Sequence, residues 1–215
     1  MEKKYIFNMP EKPINLPYST PPLRFINREY FVIQYETDPE ILKNEIPKGL
    51  KFVDPVVKYQ FVKMPDAWKF GSVYSSGNII PVSFEGIDGN YEYAMFFNSP
   101  GAISSGREIF GFPKKFANPN LEVDNDSLLG TLHYGKDLIA TGTMGYKHNE
   151  LKVNEIEEGL KKPLYLFKTI PNVDGTPLAC QINQVNLIDI KVKGAWSGPA
   201  TLELHPHALA DVAKF

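Results

Sequence analysis

The chain has 215 residues, enough for one sizeable domain with a core of its own. Its 43% hydrophobic and 22% charged residues are those of an ordinary folded globular protein, and a net charge of -2 argues against a nucleic-acid or other polyanionic partner. A single cysteine, Cys180, excludes an internal disulfide and suits a reducing compartment; no apolar run reaches membrane-spanning length and no signal-like stretch follows Met1-Glu2-Lys3-Lys4, so the expected location is cytoplasmic.

Eighteen prolines and sixteen glycines spread along the chain oppose long helices and favour short strands joined by turns. Residues 1–22 read as an N-terminal arm, proline-rich and extended from Pro10 to Pro22. Tyr30 to Tyr35 is rich in β-formers and predicts a strand. Thr37-Asp38-Pro39-Glu40 predicts a helix start, with a capping side chain followed by proline in the first turn, and that helix ends before Pro47. Leu50 to Met64 predicts strand, broken at Asp54-Pro55, and Ile79–Phe84 and Tyr91–Phe97 predict two more. Between them Gly86–Asn90, with its Asp88-Gly89 step, is a hairpin-turn signal. Ser99–Phe110 holds a short helix. Leu121–Val123, Ser127–Tyr134 and Leu138–Tyr146 continue the strands, with a turn at Gly135-Lys136-Asp137. Lys152–Lys161 reads as a charged surface helix, Leu164–Ile170 and Ala179–Val192 as strands around a loop at Pro171–Pro177, and His205–Lys214 as a short helix. With no repeat or linker, residues 1–215 form one domain, and the strand count favours an antiparallel barrel or sandwich.

The segment most specific in its chemistry is Ser104–Asn120, Ser-Ser-Gly-Arg-Glu-Ile-Phe-Gly-Phe-Pro-Lys-Lys-Phe-Ala-Asn-Pro-Asn. Adjacent lysines are ordinarily solvated surface charge. Here Lys114 and Lys115 stand among Phe110, Phe112, Pro113, Phe116 and Ala117. Mutual repulsion and an apolar wall both disfavour the charged amine and lower its pKa. A neutral lysine is a nucleophile that forms a Schiff base with a carbonyl. Gly106, Gly111 and Pro113 punctuate the segment with turns, and functional side chains are often held on such loops.

The chain resembles the acetoacetate decarboxylase family. The pieces that carry the resemblance are Asn27-Arg28-Glu29-Tyr30-Phe31, Ile80-Pro81-Val82-Ser83-Phe84, Gly106-Arg107-Glu108 with Phe112-Pro113-Lys114-Lys115, Gly130-Thr131-Leu132, Met144-Gly145-Tyr146-Lys147-His148, Ile170-Pro171-Asn172 and Ala195-Trp196-Ser197-Gly198-Pro199. The resemblance implies a closed, cone-like antiparallel β-barrel with short helices around it and a lysine facing the interior. It implies a decarboxylase converting acetoacetate to acetone and carbon dioxide through a lysine imine and enamine, without an external cofactor or metal, in a homo-oligomer. Lys114 is then the nucleophile, Lys115 a catalytic neighbour that depresses its pKa, and Arg28 the group that orients the substrate carboxylate. Gln60, Ser75, Tyr74, Phe112 and Met95 complete the substrate-contacting set.

Two positions depart from the family pattern. Gln60 and Ser75 stand where the resembling decarboxylases have glutamates. Glutamine keeps hydrogen bonding but cannot titrate, and serine is shorter; a one-residue shift puts the Tyr74 phenol near the site instead. Two alternatives follow: a Schiff-base aldolase or dehydratase acting on a pyruvate-type keto acid, or a barrel that only binds small molecules. The resembling proteins also continue past the region matching His205–Phe215 with a further strand and helix. His148, a candidate relay, reads as structural or surface, Arg107-Glu108 as shaping the entry to the lysine loop, Trp196 as packing, and His205 with His207 lacks the further ligands of a metal site.

Overall fold

A computed structural model describes residues 22–215. The arm expected over residues 1–22 lies outside the described residues except for Pro22. In chain order the elements are β1 (Phe25–Ile26), β2 (Glu29–Glu36), α1 (Pro39–Glu45), β3 (Lys51–Phe52), β4 (Val56–Ala67), β5 (Gly71–Phe84), β6 (Ile87–Phe97) and α2 (Pro100–Ser105), the last running into a π-helical turn at Gly106–Phe110. They continue with β7 (Lys114–Phe116), β8 (Asn118–Asp124), β9 (Ser127–Tyr134), β10 (Asp137–Gly145), β11 (Asn149–Glu150), α3 (Val153–Leu160), β12 (Leu164–Pro171), β13 (Pro177–Val185), β14 (Trp196–Ser197) and β15 (Ala200–Leu204).

Most boundaries follow from local chemistry. Asp38 caps α1, its carboxylate accepting from the Glu40 backbone N–H at 2.8 Å, and Pro39 occupies the first helical turn. The hairpin between β5 and β6 turns at Glu85-Gly86, not at Asp88-Gly89. Glu85 and Gly86 both carry positive φ, 51° and 83°, as the tight hairpin turn requires. Gly89 serves close approach instead: a Cβ there would meet the Pro163 carbonyl oxygen at 2.5 Å. The C-terminal stretch 205–214 forms no helix; it lies against the core, burying Ala210 and Val212. The last long strand stops at Val185, short of the predicted Val192.

The expected closed antiparallel barrel is not formed. The nine-stranded sheet is open, running β1-β4-β5-β6-β12-β13, with β2 on β4, β3 on β5 and β7 on β6. A second sheet runs β15-β10-β9-β8, and β11 and β14 make a small ribbon. The large sheet is mixed, because both β7 and β12 join β6 in parallel. Those two strands share one edge of β6. Met95–Phe97 pair with β7 and Asn90–Tyr91 with β12, so among the described residues Glu92, Tyr93 and Ala94 have no strand partner on that side.

The sheets pack face to face over Phe31, Tyr59, Phe61, Phe96, Leu121, Leu132 and Ile139. Phe61 is fully buried, and its ring lies over Gly130 of β9 and Gly142 of β10, where added Cβ atoms would stand 2.4 and 2.7 Å from it. The alternation of β4 sends Tyr59 and Phe61 into this core and Gln60, Val62 and Met64 to the other face of the large sheet. That other face carries the lysine. No helix among the described residues is long and apolar enough to cross a membrane.

Candidate active site

Cross-strand register assembles the site. Gln60 pairs with Gly77, Gly77 with Met95, and Met95 with Lys114, so one row crosses β4, β5, β6 and β7. Residues opposite one another share a face. The next row places Val62 opposite Ser75, Ser75 opposite Phe97, and Phe97 opposite Phe116. Lys114, Gln60, Ser75 and Met95 thus stand on one face. Tyr74 alternates to the opposite face, so the one-residue shift considered for it is not what the register gives.

Lys114 is half-buried. Its ammonium donates to the Ala102 carbonyl oxygen at 3.0 Å and lies 4.3 Å from the Phe97 ring centroid and 5.1 Å from that of Phe112. The α2 helix and the π-helical turn roof it. Ser99 caps α2 by accepting from the Ala102 N–H at 3.4 Å, which fixes the segment that offers the carbonyl. Gly111, at φ 91°, ends the turn in the left-handed region. Its missing side chain admits the hairpin β12–β13: Lys168 donates to the Ile109 oxygen at 3.1 Å and Asn183 to the Phe110 oxygen at 2.7 Å. Arg107 returns to the Lys114 carbonyl oxygen at 3.1 Å.

Burial pulls the Lys114 pKa down from 10.5 to about 8, opposed by the carboxyl of Glu92 and assisted by the positive charge of Arg28. Lys115 points to the other face. Its ammonium bonds the Leu209 carbonyl oxygen and lies 5.0 Å from the Tyr134 ring centroid. The neighbouring charge that assists Lys114 is Arg28, brought by the connection between β1 and β2, and not the lysine next in sequence. Arg28 stacks 3.8 Å from the Phe25 ring centroid and donates to the Tyr30 hydroxyl at 2.6 Å, leaving its buried Nε with no partner among the described residues.

Glu92 was not among the residues read from the sequence. It is 1% exposed, the one carboxyl among the buried polar residues of the described chain, residues 22–215, and Gln60 Nε2 donates to its Oε1 at 3.3 Å. Burial lifts its pKa from 4.5 to about 8, against the lowering effects of Lys114 and Gln60. A glutamate inside the apolar run Tyr91-Glu92-Tyr93-Ala94-Met95 was the available signal. One position where resemblance implied a carboxyl, Gln60, therefore holds an amide that touches one. Ser75 is 2% exposed and keeps only its hydroxyl on this face.

The remaining candidates lie elsewhere. His207 faces Asp137 at 3.4 Å and the Tyr134 ring, and Trp196 packs against Gly194 and under the Lys147 ammonium. Two shallow surface hollows, one at Thr143 and Pro199 and the other at Lys58 and Asp88, do not include Lys114 in their walls.

A family model described as acetoacetate decarboxylase matches residues 9–215. An acetoacetate decarboxylase of Paraburkholderia xenovorans is 49% identical over 212 residues, covering 98% of this chain and 84% of the relative. That of Bordetella avium is 52% identical over 192 residues, 89% of this chain and 78% of the relative. The crystal structure of acetoacetate decarboxylase from Legionella pneumophila superposes with a TM-score of 0.93 at 48% identity, covering 97% of this chain and 83% of the other.

Proposed function

The chain belongs to the acetoacetate decarboxylase family, and from that premise we propose that Lys114 is the amine that forms the imine. The protein is a carbon–carbon lyase that decarboxylates acetoacetate through a lysine Schiff base. The observation that carries the lysine assignment is an amine held between Phe97 and Phe112 with its pKa lowered to about 8. At pH 7 about one such amine in ten is neutral, against fewer than about one in a thousand for an unperturbed lysine. That difference is a gain of roughly two orders of magnitude in nucleophile.

Lys114 Nζ adds to the ketone carbon, and loss of water gives an iminium. The iminium nitrogen draws the electron pair of the breaking carbon–carbon bond. Carbon dioxide leaves and an enamine remains. A proton on its terminal carbon regenerates an iminium, and hydrolysis releases acetone and the free amine. Arg28 orients the leaving carboxylate: its unpartnered buried Nε–H and fixed guanidinium plane suit an acceptor with two oxygens. Phe112 and Met95 exclude water beside the amine, and Ser75 offers a hydroxyl to the same space. Lys115 acts as a tether, tying β7 to the 209 segment.

Borohydride reduction in the presence of acetoacetate tests this reading. Mass spectrometry finds an isopropyl group on Lys114 of the wild-type protein and none on the Lys114→Ala variant. An adduct that survives in the variant removes Lys114 from the role.

A further inference from the structure

Strand β6 departs from simple alternation at one place. Asn78 faces Ala94 and Ile79 faces Glu92, so Tyr93 is an extra residue, a β-bulge. Gly77 makes the close approach possible there, because a Cβ on it would lie 1.9 Å from the Ala94 carbonyl oxygen. The bulge sets the faces. Counting back from Met95, a regular strand would put Tyr93 beside the lysine and send Glu92 away. The extra residue instead brings Glu92 to the lysine's face, while Tyr93 turns its hydroxyl to Glu45 at 2.8 Å. On the edge away from β5, Glu92 also lies in the gap between β7 and β12, without a strand partner among the described residues.

A carboxyl so placed, fully buried and held by the Gln60 amide, has no ion pair among the described residues to account for it. Its opposite number across the site is the Lys114 amine, which responds to its charge. Burial disfavours the pair of ions and favours free amine with neutral acid. Those are the two forms that imine formation needs.

We propose that Glu92 is the general acid of the imine steps, an assignment that rests on Lys114 being the imine-forming residue. In the forward step the C–O bond of the carbinolamine breaks. The Glu92 carboxyl proton passes to the departing oxygen, water leaves, and the nitrogen lone pair closes the C=N bond. Glu92 is left as a carboxylate beside the iminium. After carbon dioxide has gone and solvent has protonated the enamine carbon, water adds to the iminium carbon and returns a proton to Glu92. Collapse of that second carbinolamine frees acetone and neutral Lys114.

The charged and titratable groups facing Glu92 are few. Lys58 stands in the same cross-strand row, beyond Ile79 and with its ammonium on Asn90 at 3.0 Å, Lys114 acts on it from β7, and Tyr91 lies next to it on its own strand. Strand β5 offers only Ser75, Gly77 and Ile79. Burial holds the Tyr91 phenol up at about 12, outside the working range.

The test is the pH profile of kcat/KM for wild type, Glu92→Gln, Glu92→Asp and Lys58→Gln, with the rate of borohydride trapping by acetoacetate measured beside it. Wild type gives a bell, its acid limb from Lys114 and its alkaline limb from Glu92. Glu92→Gln lowers kcat about 100-fold, slows trapping in parallel and loses the alkaline limb. Glu92→Asp keeps that limb at reduced kcat, and Lys58→Gln keeps both limbs; the Asp variant decides the matter if the Gln variant does not fold. A Glu92→Gln protein within about threefold of wild type, or one whose alkaline limb persists, overturns the proposal. So does an Asp variant that lacks the limb. Failure of wild type to trap any adduct on Lys114 would sink the lysine assignment instead, so the two readings fail separately.

Discussion

Gly106 ends where Lys114 begins: a Cβ on Gly106 would lie 2.7 Å from Cδ, Cε and Nζ of the lysine. The end of α2 and the Lys114 side chain therefore share a space that only a hydrogen can occupy. Gly106→Ala is expected to displace the amine and lower kcat/KM about 100-fold, since a shift of about 1 Å costs that much. The fold should persist, because the lysine tip can move. Steady-state kinetics with a circular dichroism control checks it.

The carboxylate contact proposed for Arg28 is separable from its effect on Lys114. Its charge helps depress the Lys114 pKa. Arg28→Gln is expected to raise KM for acetoacetate by about 10-fold or more and to move the acid limb of kcat/KM to higher pH. Arg28→Lys restores the limb but not KM, because an ammonium cannot grip a carboxylate in two-point fashion. A KM unchanged in Arg28→Gln would remove the guanidinium from substrate binding.

Lys115→Ala should leave the Lys114 adduct and the acid limb in place. Its ammonium is on the opposite face, against the Leu209 oxygen and Tyr134. The expected loss is one exposed contact, about 1 kcal/mol or less, read as a small drop in urea midpoint. A lost adduct would restore the lysine pair to the chemistry.

Stability should pass through a minimum near pH 8. Glu92 has its pKa raised from 4.5 to about 8, so between those values the folded chain keeps a proton that the unfolded chain releases, and stability falls as pH rises. Lys114 has its pKa lowered from 10.5 to about 8, so between those values the unfolded chain holds the extra proton, and stability rises with pH. Urea midpoints across pH 5 to 10 trace the minimum. Glu92→Gln flattens its acid side and Lys114→Met its alkaline side; parallel curves for wild type and both variants would refute the assignment of the shifts.

Gly130→Ala tests the core away from the site. The new methyl would meet the Phe61 ring at 2.4 Å, and overpacking of this kind costs about 1–3 kcal/mol. The urea midpoint should drop with little change in KM.

Strands announced themselves by β-formers, and the α1 start by Asp38-Pro39. The apolar setting of Lys114 was legible in part: Phe112 stands two residues before it and lies by its amine, whereas the nearer ring, Phe97, comes from the neighbouring strand β6. The opposite facing of Lys114 and Lys115 was not legible, since only the strand assignment reveals that these adjacent residues alternate. The barrel expectation failed because closure depends on which edges pair, and β6 gives one edge to two parallel strands. Turn chemistry misled at Asp88-Gly89, whose glycine answers to Pro163 across the sheet. Glu92 escaped notice for a related reason: its orientation is set by a bulge that depends on a glycine fifteen positions earlier, Gly77.

That irregularity bears on transplantation. An ideal, evenly pleated sheet built to carry the same amine would turn a copied Glu92 toward its hydrophobic interior. To reproduce the chemistry, the acid would have to be written one place later, at the position Tyr93 holds here. A design that keeps every functional residue but straightens the strand would lose its proton donor with no side chain altered.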